Sequence, residues 1–260
     1  DLLLSAGPLA LLALLALALA WWWLDPQPPR RVRLATGPEQ SAYAAFGQRY
    51  ADALARYGIE VVLHASDGSA ANLALLRSAQ VDLAFVQGGS FEAATDAQAA
   101  PLLSLGSLFV EPVWLFYRRD ALPGRTEGSA KALPQLARLR LNLGTSGSGV
   151  PALMQRLLEL NRIDAASLRL SFLAPTPAAV ALLGGDIDAL VLASAPESLL
   201  VQMLLQTPGI ALLDLAHSEA YARRLPFLTP VLLPRGVVDL AADTPAQDVR
   251  LVAATTTLLT

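Results

Sequence analysis

Residues 144–149, Gly-Thr-Ser-Gly-Ser-Gly, carry the sharpest local chemistry in this 260-residue chain. Three glycines and three hydroxyl side chains stand directly before a segment with helical apolar spacing. Backbone N–H groups and the positive end of a helix would there face an anion together. No Gly-Lys-Ser/Thr follows, which excludes a nucleotide P-loop, and the spacing G-x-G-x-x-G of dinucleotide sites is absent. The same residues also suit a plain flexible strand–helix link, and both readings stand. Elsewhere the chemistry thins out. There is no cysteine, which removes disulfides, thiolate metal sites and a cysteine nucleophile. His64 and His217 are the only histidines. His64 ends a strand pattern, and His217 stands before a short helix as a solvated cap. No H-E-x-x-H, no G-x-S-x-G and no carboxylate cluster occurs, so no catalytic residue, metal or cofactor is assigned.

A second polar constellation lies in residues 63–89, LHASDGSAANLALLRSAQVDLAFVQGG. It reads as strand end, polar loop, helix, short link, strand and polar loop. Ser69 stands where it would cap a helix beginning near Ala70. Leu73, Leu76 and Ala79 follow at helical spacing, and residues 83–86 form a short apolar run suited to a buried parallel strand. Both polar loops follow strands, at the carboxyl edge where open α/β sheets bind ligands. Asn72, one turn into the helix, serves either the cap or the ligand. Gln87 follows a buried strand and has no evident packing role. Glu111, before Pro112, is either a hinge residue or an acceptor in the cleft.

The pattern returns in residues 178–198, AAVALLGGDIDALVLASAPES. Leu76 lies six residues before Asp82, as Leu182 does before Asp188. Asp82 and Asp188 each precede a strand, on the edge away from the ligand loops, and read as structural. Two such units imply two similar α/β lobes with a ligand cleft between them. Hydrophobic residues make up 54% and charged residues 16%, which excludes a disordered chain. The net charge is −3 and no basic block exceeds residues 30–33, which argues against nucleic-acid binding. Lys131 is the only lysine, a bias that fits a GC-rich bacterial source.

Leu2–Leu24 contains no charged residue and ends in Trp21, Trp22 and Trp23. Roughly 20 apolar residues span a bilayer as a helix, and tryptophans favour its interface. The expectation is a transmembrane anchor at residues 2–24, against a cleaved signal peptide or a buried helix. Residues 25–30, DPQPPR, form a proline-rich linker. The arginines just after the segment favour keeping that side cytoplasmic, which conflicts with export of the following domain. Strands are expected at residues 32–36, Glu60–His64, 102–108, 110–117, 139–143, 168–173, Ala189–Ala193, 210–215 and Leu228–Leu233. Helices are expected after the turn at 37–41, and over Val150–Leu160, 176–183, 197–206 and Ser218–Arg224. Tyr43, Phe46, Gly47, Tyr50, Leu54 and Tyr57 set the face of the first of these, and Gly58 its stop. Leu153, Leu157 and Leu160 would point inward from the second. Residues 93–101 read as a polar loop or short helix. Asp1, and Thr260 inside an apolar run, are expected to be cuts in a longer protein.

Six segments in order resemble the TAXI family of TRAP-transporter solute receptors: ATGPEQSAY, ASDGSAANLALLRSAQVDLAFVQGG, LFVEPVWLFYR, LNLGTSGSGV, LLGGDIDALVLASAPES and LPFLTPVLLPRGV. The resemblance covers residues 31–260. It implies an α/β, periplasmic-binding-protein type II fold: two α/β lobes with a hinge, here preceded by the anchor. The lobes would be residues 31–119 with 226–260, and residues 120–225. It implies no chemistry and no cofactor. It implies a cleft lined by Glu39, Gln40, Ser41, Tyr43, Ser69, Asn72, Gln87 and Glu111 from the first lobe. The second lobe would add Ser146, Gly147, Ser148, Gly149, Thr176 and Ser194. Residues 37–41, GPEQS, are bulkier than the glycine-rich first loop usual in that family, and Val150 stands where a hydroxyl residue is common. The partners implied are a small solute, a carboxylate or an amino acid, and a TRAP permease. The place implied is the inner membrane with a periplasmic binding domain. Two other readings remain: an enzyme on the same bilobal fold, and an interaction module without a ligand.

Overall fold

A computed structural model of the chain describes residues 2–24, 29–39, 41–90, 101–122, 133–136 and 138–260. The expectations on residues 25–28, Gln40 and residues 91–100 lie outside it. The chain runs α1 (Leu2–Leu24), β1 (Arg31–Ala35), α2 (Ala42–Ala55), β2 (Glu60–His64), α3 (Ser69–Arg77), β3 (Leu83–Gln87) and β4 (Ser104–Arg118). It continues through β5 (Arg140–Asn142), α4 (Val150–Leu160), β6 (Arg169–Ser171), α5 (Pro175–Gly184), β7 (Ala189–Ala193) and α6 (Leu199–Gln206). β8 (Ile210–Leu212), α7 (Ser218–Arg224), β9 (Leu228–Leu233) and β10 (Val249–Leu259) complete it.

The strands join in the order β2-β1-β3-β10-β4-β7-β5-β6, with β8 on β4 and β9 on β10. β1 pairs in parallel with β2 and β3, and β5 in parallel with β6 and β7. These are two copies of one α/β arrangement, as the repeated pattern requires. Between them run two long antiparallel strands. β4 pairs β10 from Ser104 to Pro112, then pairs β7 from Val113 onward. The two strands expected at 102–108 and 110–117 are therefore one, because β10 supplies a continuous partner across the join. β10 itself was not expected. It threads between β3 and β4, and its apolar residues Leu251, Val252, Ala253 and Ala254 are buried.

Packing explains the rest. Leu83–Gln87 and Ala189–Ala193 are apolar runs buried nearly throughout, as strands covered on both faces must be. α4 buries Leu153, Met154, Leu157 and Leu158, whereas Leu160, expected inward, is half-buried. Cores lie on both faces of the second half. One gathers α4 residues with Leu228, Val252 and Ala254; the other gathers Trp114, Leu182, Leu190 and Leu204 with Val249 and Leu251. The first half has two smaller cores, around Leu73 with Val86 and around Tyr43 with Phe85. On α2, Gly47 lets the helix approach β1, for a Cβ there would meet Thr36 Cγ2 at 2.6 Å. Tyr57, expected on the buried face, follows the helix and is exposed, and Gly58 turns the chain with φ +74°.

Residues 2–24 form the expected helix, α1. The described side chains from Leu11 to Trp23 are exposed, which removes the buried-helix alternative for that part. Among the described residues no helix is long and apolar enough to cross a membrane. The expectation at residues 2–24 is thus met as a helix.

Candidate functional site

Two polar loops of the first half are tied together before they face anything else. α3 is preceded by Gly68 at φ +127°, a conformation that suits glycine, and no side chain caps it. Ser69 is therefore not the cap that the sequence suggests. Its buried hydroxyl accepts a hydrogen bond from the Gln87 N–H (2.9 Å) and lies 2.8 Å from the Tyr43 hydroxyl. Asn72 is fully buried. Its Nδ2 donates to the Phe85 carbonyl (2.8 Å), and its Oδ1 accepts from the Ser66 hydroxyl (2.6 Å). The amide expected to reach toward the cleft instead stitches β3 to the 66–69 loop. Such a bond is stabilising only because both buried groups are satisfied.

From Ser69 the network continues inward. Tyr43, buried on α2, also lies 3.4 Å from the hydroxyl of Thr256 on β10. Thr256 donates to Glu111 Oε2 at 2.8 Å. Glu111 is the last residue but one before β4 changes partner, and it is 7% exposed. Burial opposes its charge and raises its pKa to about 7, against the lowering effect of hydrogen bonds from Thr256 and Tyr43. Burial likewise holds the Tyr43 phenol well above its usual range, helped by the nearby Glu111 charge. Glu111 thus sits at the crossing strands and belongs to the polar cluster.

The second half closes on this cluster with backbone. Gly149 precedes α4, which has no side-chain cap, so backbone N–H groups remain at its start. A Cβ on Gly149 would stand 2.1 Å from Gln87 Oε1 and 2.7 Å from Ser90 Oγ. A larger residue there would force the Gln87 and Ser90 side chains to move. Gln87 Nε2 and Ser90 Oγ are buried and have no hydrogen-bond partner among the described residues. Beside them the loops touch directly. The Ala71 N–H donates to the Gly147 carbonyl at 3.0 Å, and a Cβ on Gly147 would meet Asp67 Cβ at 2.6 Å. Ser148 turns back on its own loop, donating to the Thr145 carbonyl through both its amide (3.0 Å) and its hydroxyl (2.8 Å).

The structure therefore brings together Tyr43, Ser69, Gln87 and Glu111 from the first half with Gly147, Ser148 and Gly149 from the second. Other expected residues stand apart. Glu39, Ser146 and Thr176 are exposed and make no described contact with the cluster. Ser41 caps α2, accepting from the Ala44 N–H at 3.2 Å. Ser194 is half-buried; its carbonyl accepts from Trp114 Nε1 (2.9 Å), and its N–H donates to Pro112 (3.3 Å), beside the point where β4 changes partner. His217 is exposed and makes no side-chain capping bond. Among the described residues no cluster could hold a metal ion. Thr256 and Ser90 were missed. Thr256 carries a readable signal, a hydroxyl recurring in the apolar run 249–260, where a buried strand must satisfy it.

Several solved structures share this architecture. A protein from Bordetella bronchiseptica matches with a TM-score of 0.58 at 15% identity, over 88% of this chain and 63% of that one. The alkanesulfonate-binding protein SsuA of Xanthomonas axonopodis, bound to MOPS, matches at 0.52 and 16%, over 77% and 69%. The regulatory domain of Synechocystis CcmR, in complex with 2-PG, matches at 0.50 and 18%, over 86% and 87%. At these identities the likeness is one of fold: a bilobal, periplasmic-binding-protein-like α/β architecture. No curated protein matches the chain. A family model covers residues 34–260, nearly everything after α1, and the chain belongs to the NMT1-like family.

Proposed function

We propose that the chain is a solute-binding receptor that holds a small molecule between its two lobes. The observation that carries this reading is the pair of buried polar atoms, Gln87 Nε2 and Ser90 Oγ, that have no partner among the described residues and are set against Gly149 at the start of α4. A buried donor without a partner is costly, and a ligand acceptor would remove that cost. The backbone at the start of α4 favours an anionic group, so a carboxylate or an amino acid is the class of choice. Structural neighbours solved with MOPS or 2-PG bound support a small-molecule role for the fold. The resemblance to TAXI receptors supports a TRAP permease as partner. The lobes meet along β4 and β10, and the change of partner at Pro112 and Val113 is the natural hinge.

The uncharged sequence of α1 and its three terminal tryptophans support an inner-membrane anchor with the binding domain in the periplasm. Membrane fractionation of the full chain and of a variant lacking residues 2–24 tests this. Retention of both forms in the soluble fraction would remove the anchor.

A second reading, an interaction module without a ligand, is favoured by the direct bond from Ala71 to Gly147, where protein and not solute joins the loops. Calorimetric titration of the full chain in detergent with mono- and dicarboxylates, amino acids and sulfonates decides between them. The receptor reading expects one saturable binder, weakened about tenfold or more by Gln87→Ala through loss of a buried hydrogen bond. No binder, or equal binding by the variant, would favour the module.

A further inference from the structure

Gln87, Ser69, Tyr43, Thr256 and Glu111 form one continuous chain of polar contacts from the interlobe seat to the crossing strands. Its polarity follows from donor counting. The Gln87 N–H can only donate, so Ser69 accepts there and has its own hydrogen free for Tyr43. Tyr43 passes its single hydrogen onward to Thr256 or Glu111, and Thr256 donates to Glu111. Every donor then runs toward one terminal acceptor, the ionised carboxylate. A protonated Glu111 brings a hydrogen of its own into that chain. If it donates back to Thr256, the bond between them reverses, and the Thr256 hydrogen is free to turn toward Tyr43.

We propose that Glu111 is a positioning residue for the interlobe seat, whose ionisation orders this relay and so tunes the bond that Ser69 accepts from the Gln87 backbone amide, where β3 enters the seat. The groups facing Glu111 are Tyr43 from α2 and Thr256 from β10, with Ser69 of α3 and Gln87 of β3 behind them. Tyr43 is the one titratable group among these, and it stays a neutral phenol across the range in which the carboxyl changes charge. Among the described residues no cation contributes to the environment of Glu111, whereas arginines hold Asp82 and Asp188 in the charged form. Two opposed effects balance instead: desolvation against donated hydrogen bonds. The significance for binding rests on the receptor reading, because Gln87 is the residue there assigned to the solute. The proton effect itself needs no ligand.

The test follows backbone amides by ¹⁵N–¹H spectroscopy of the full chain in detergent micelles from pH 5.5 to 8.5. The Gln87 amide is expected to shift through a one-proton transition centred near 7. Glu111→Gln, which keeps the shape and an acceptor oxygen, is expected to abolish that transition. Thr256→Val removes the lowering donor and the link together, so Glu111 is expected to titrate higher while Gln87 responds less. An unmoved Gln87 amide, or the same transition in Glu111→Gln, overturns the proposal. A clean transition in a chain that binds no solute would instead contradict only the receptor reading.

Discussion

The two halves are built on one plan and spend it differently. In each, an arginine on the first strand clamps the aspartate before the third. Arg33 donates to Asp82 through its amide (2.7 Å), Nε (3.2 Å) and Nη2 (2.8 Å), and Arg140 does the same to Asp188 (2.9, 3.0 and 2.6 Å). Even the extra bond repeats, from Arg33 Nη2 to the Ala79 carbonyl and from Arg140 Nη2 to that of Gly185. At the opposite edge the likeness ends. The first half offers side chains, Tyr43, Ser69 and Glu111, linked by hydrogen bonds that pass through Thr256, with the Gln87 side chain beside them. The second offers backbone, Gly147 and Gly149, where any Cβ would collide. The shared edge keeps the fold, and the edge that differs is where a ligand would be told apart. Side chains select polar groups, while bare amides accept any anion of suitable size.

The comparison can be broken first at its cores. Leu153 belongs to the large core of the second half and is fully buried, whereas Leu73 belongs to a small one and is 7% exposed. Leu153→Ala is expected to cost about 4 kcal/mol and Leu73→Ala about 2 kcal/mol, read by urea denaturation. Equal losses would show that the halves do not differ in packing.

The next effect is electrostatic. The pKa of Glu111 is raised on folding, from an ordinary 4.5 to about 7, so the folded chain holds a proton that the unfolded chain has released. Stability tied to this group is full below about 4.5, falls as pH rises toward 7 and is lost above it. Glu111→Gln is then expected to leave stability at pH 4 nearly unchanged and to raise it by about 3 kcal/mol at pH 8. A pH-independent difference would contradict that origin.

Smaller still is the contrast between the two clamps. Hydrogen bonds from Arg33 and Arg140 hold Asp82 and Asp188 below the usual carboxylate range. Their contribution is present above the ordinary aspartate pKa and is lost as pH falls through the depressed one. The Asp188 side chain is 17% exposed and that of Asp82 is 44% exposed. Asp188→Asn is expected to cost about 1–2 kcal/mol, and solvent-screened Asp82→Asn less than about 1 kcal/mol, in thermal scans at pH 7. Smallest is the loop contact. Gly147→Ala would push against Asp67 and is expected to speed hydrogen exchange at the Ala71 amide, while Gly184→Ala, whose Cβ would meet only Asp186 Oδ2 at an ordinary 3.8 Å, leaves that amide unchanged.

What the sequence shows well is the repeated unit. Glu60–His64, Val150–Leu160, Ala189–Ala193, Ser218–Arg224 and Leu228–Leu233 stand where periodicity and capping place them. Asp82 and Asp188 prove structural, as their position before strands suggests. Local pattern fails where a residue's partner is distant. β10 is read as a mere apolar tail because its meaning lies in β3, β4 and β9, more than a hundred residues away for the first two. Asn72 reads as a cleft residue because its spacing is right, yet the Phe85 carbonyl and the Ser66 hydroxyl claim it first. Ser69 reads as a cap because it opens a helix, whereas Gly68 takes that place and frees the hydroxyl for Gln87. Glu39 and Thr176 enter only through family resemblance and lie exposed.

The most direct test of the central claim is mass spectrometry of the small molecules released when the purified full chain is denatured. A receptor with a buried, unfilled donor at Gln87 is expected to release one anionic solute in near-stoichiometric amount, and Gln87→Ala to release much less. A chain that releases nothing, and whose melting temperature no carboxylate, amino acid or sulfonate raises, would contradict the receptor.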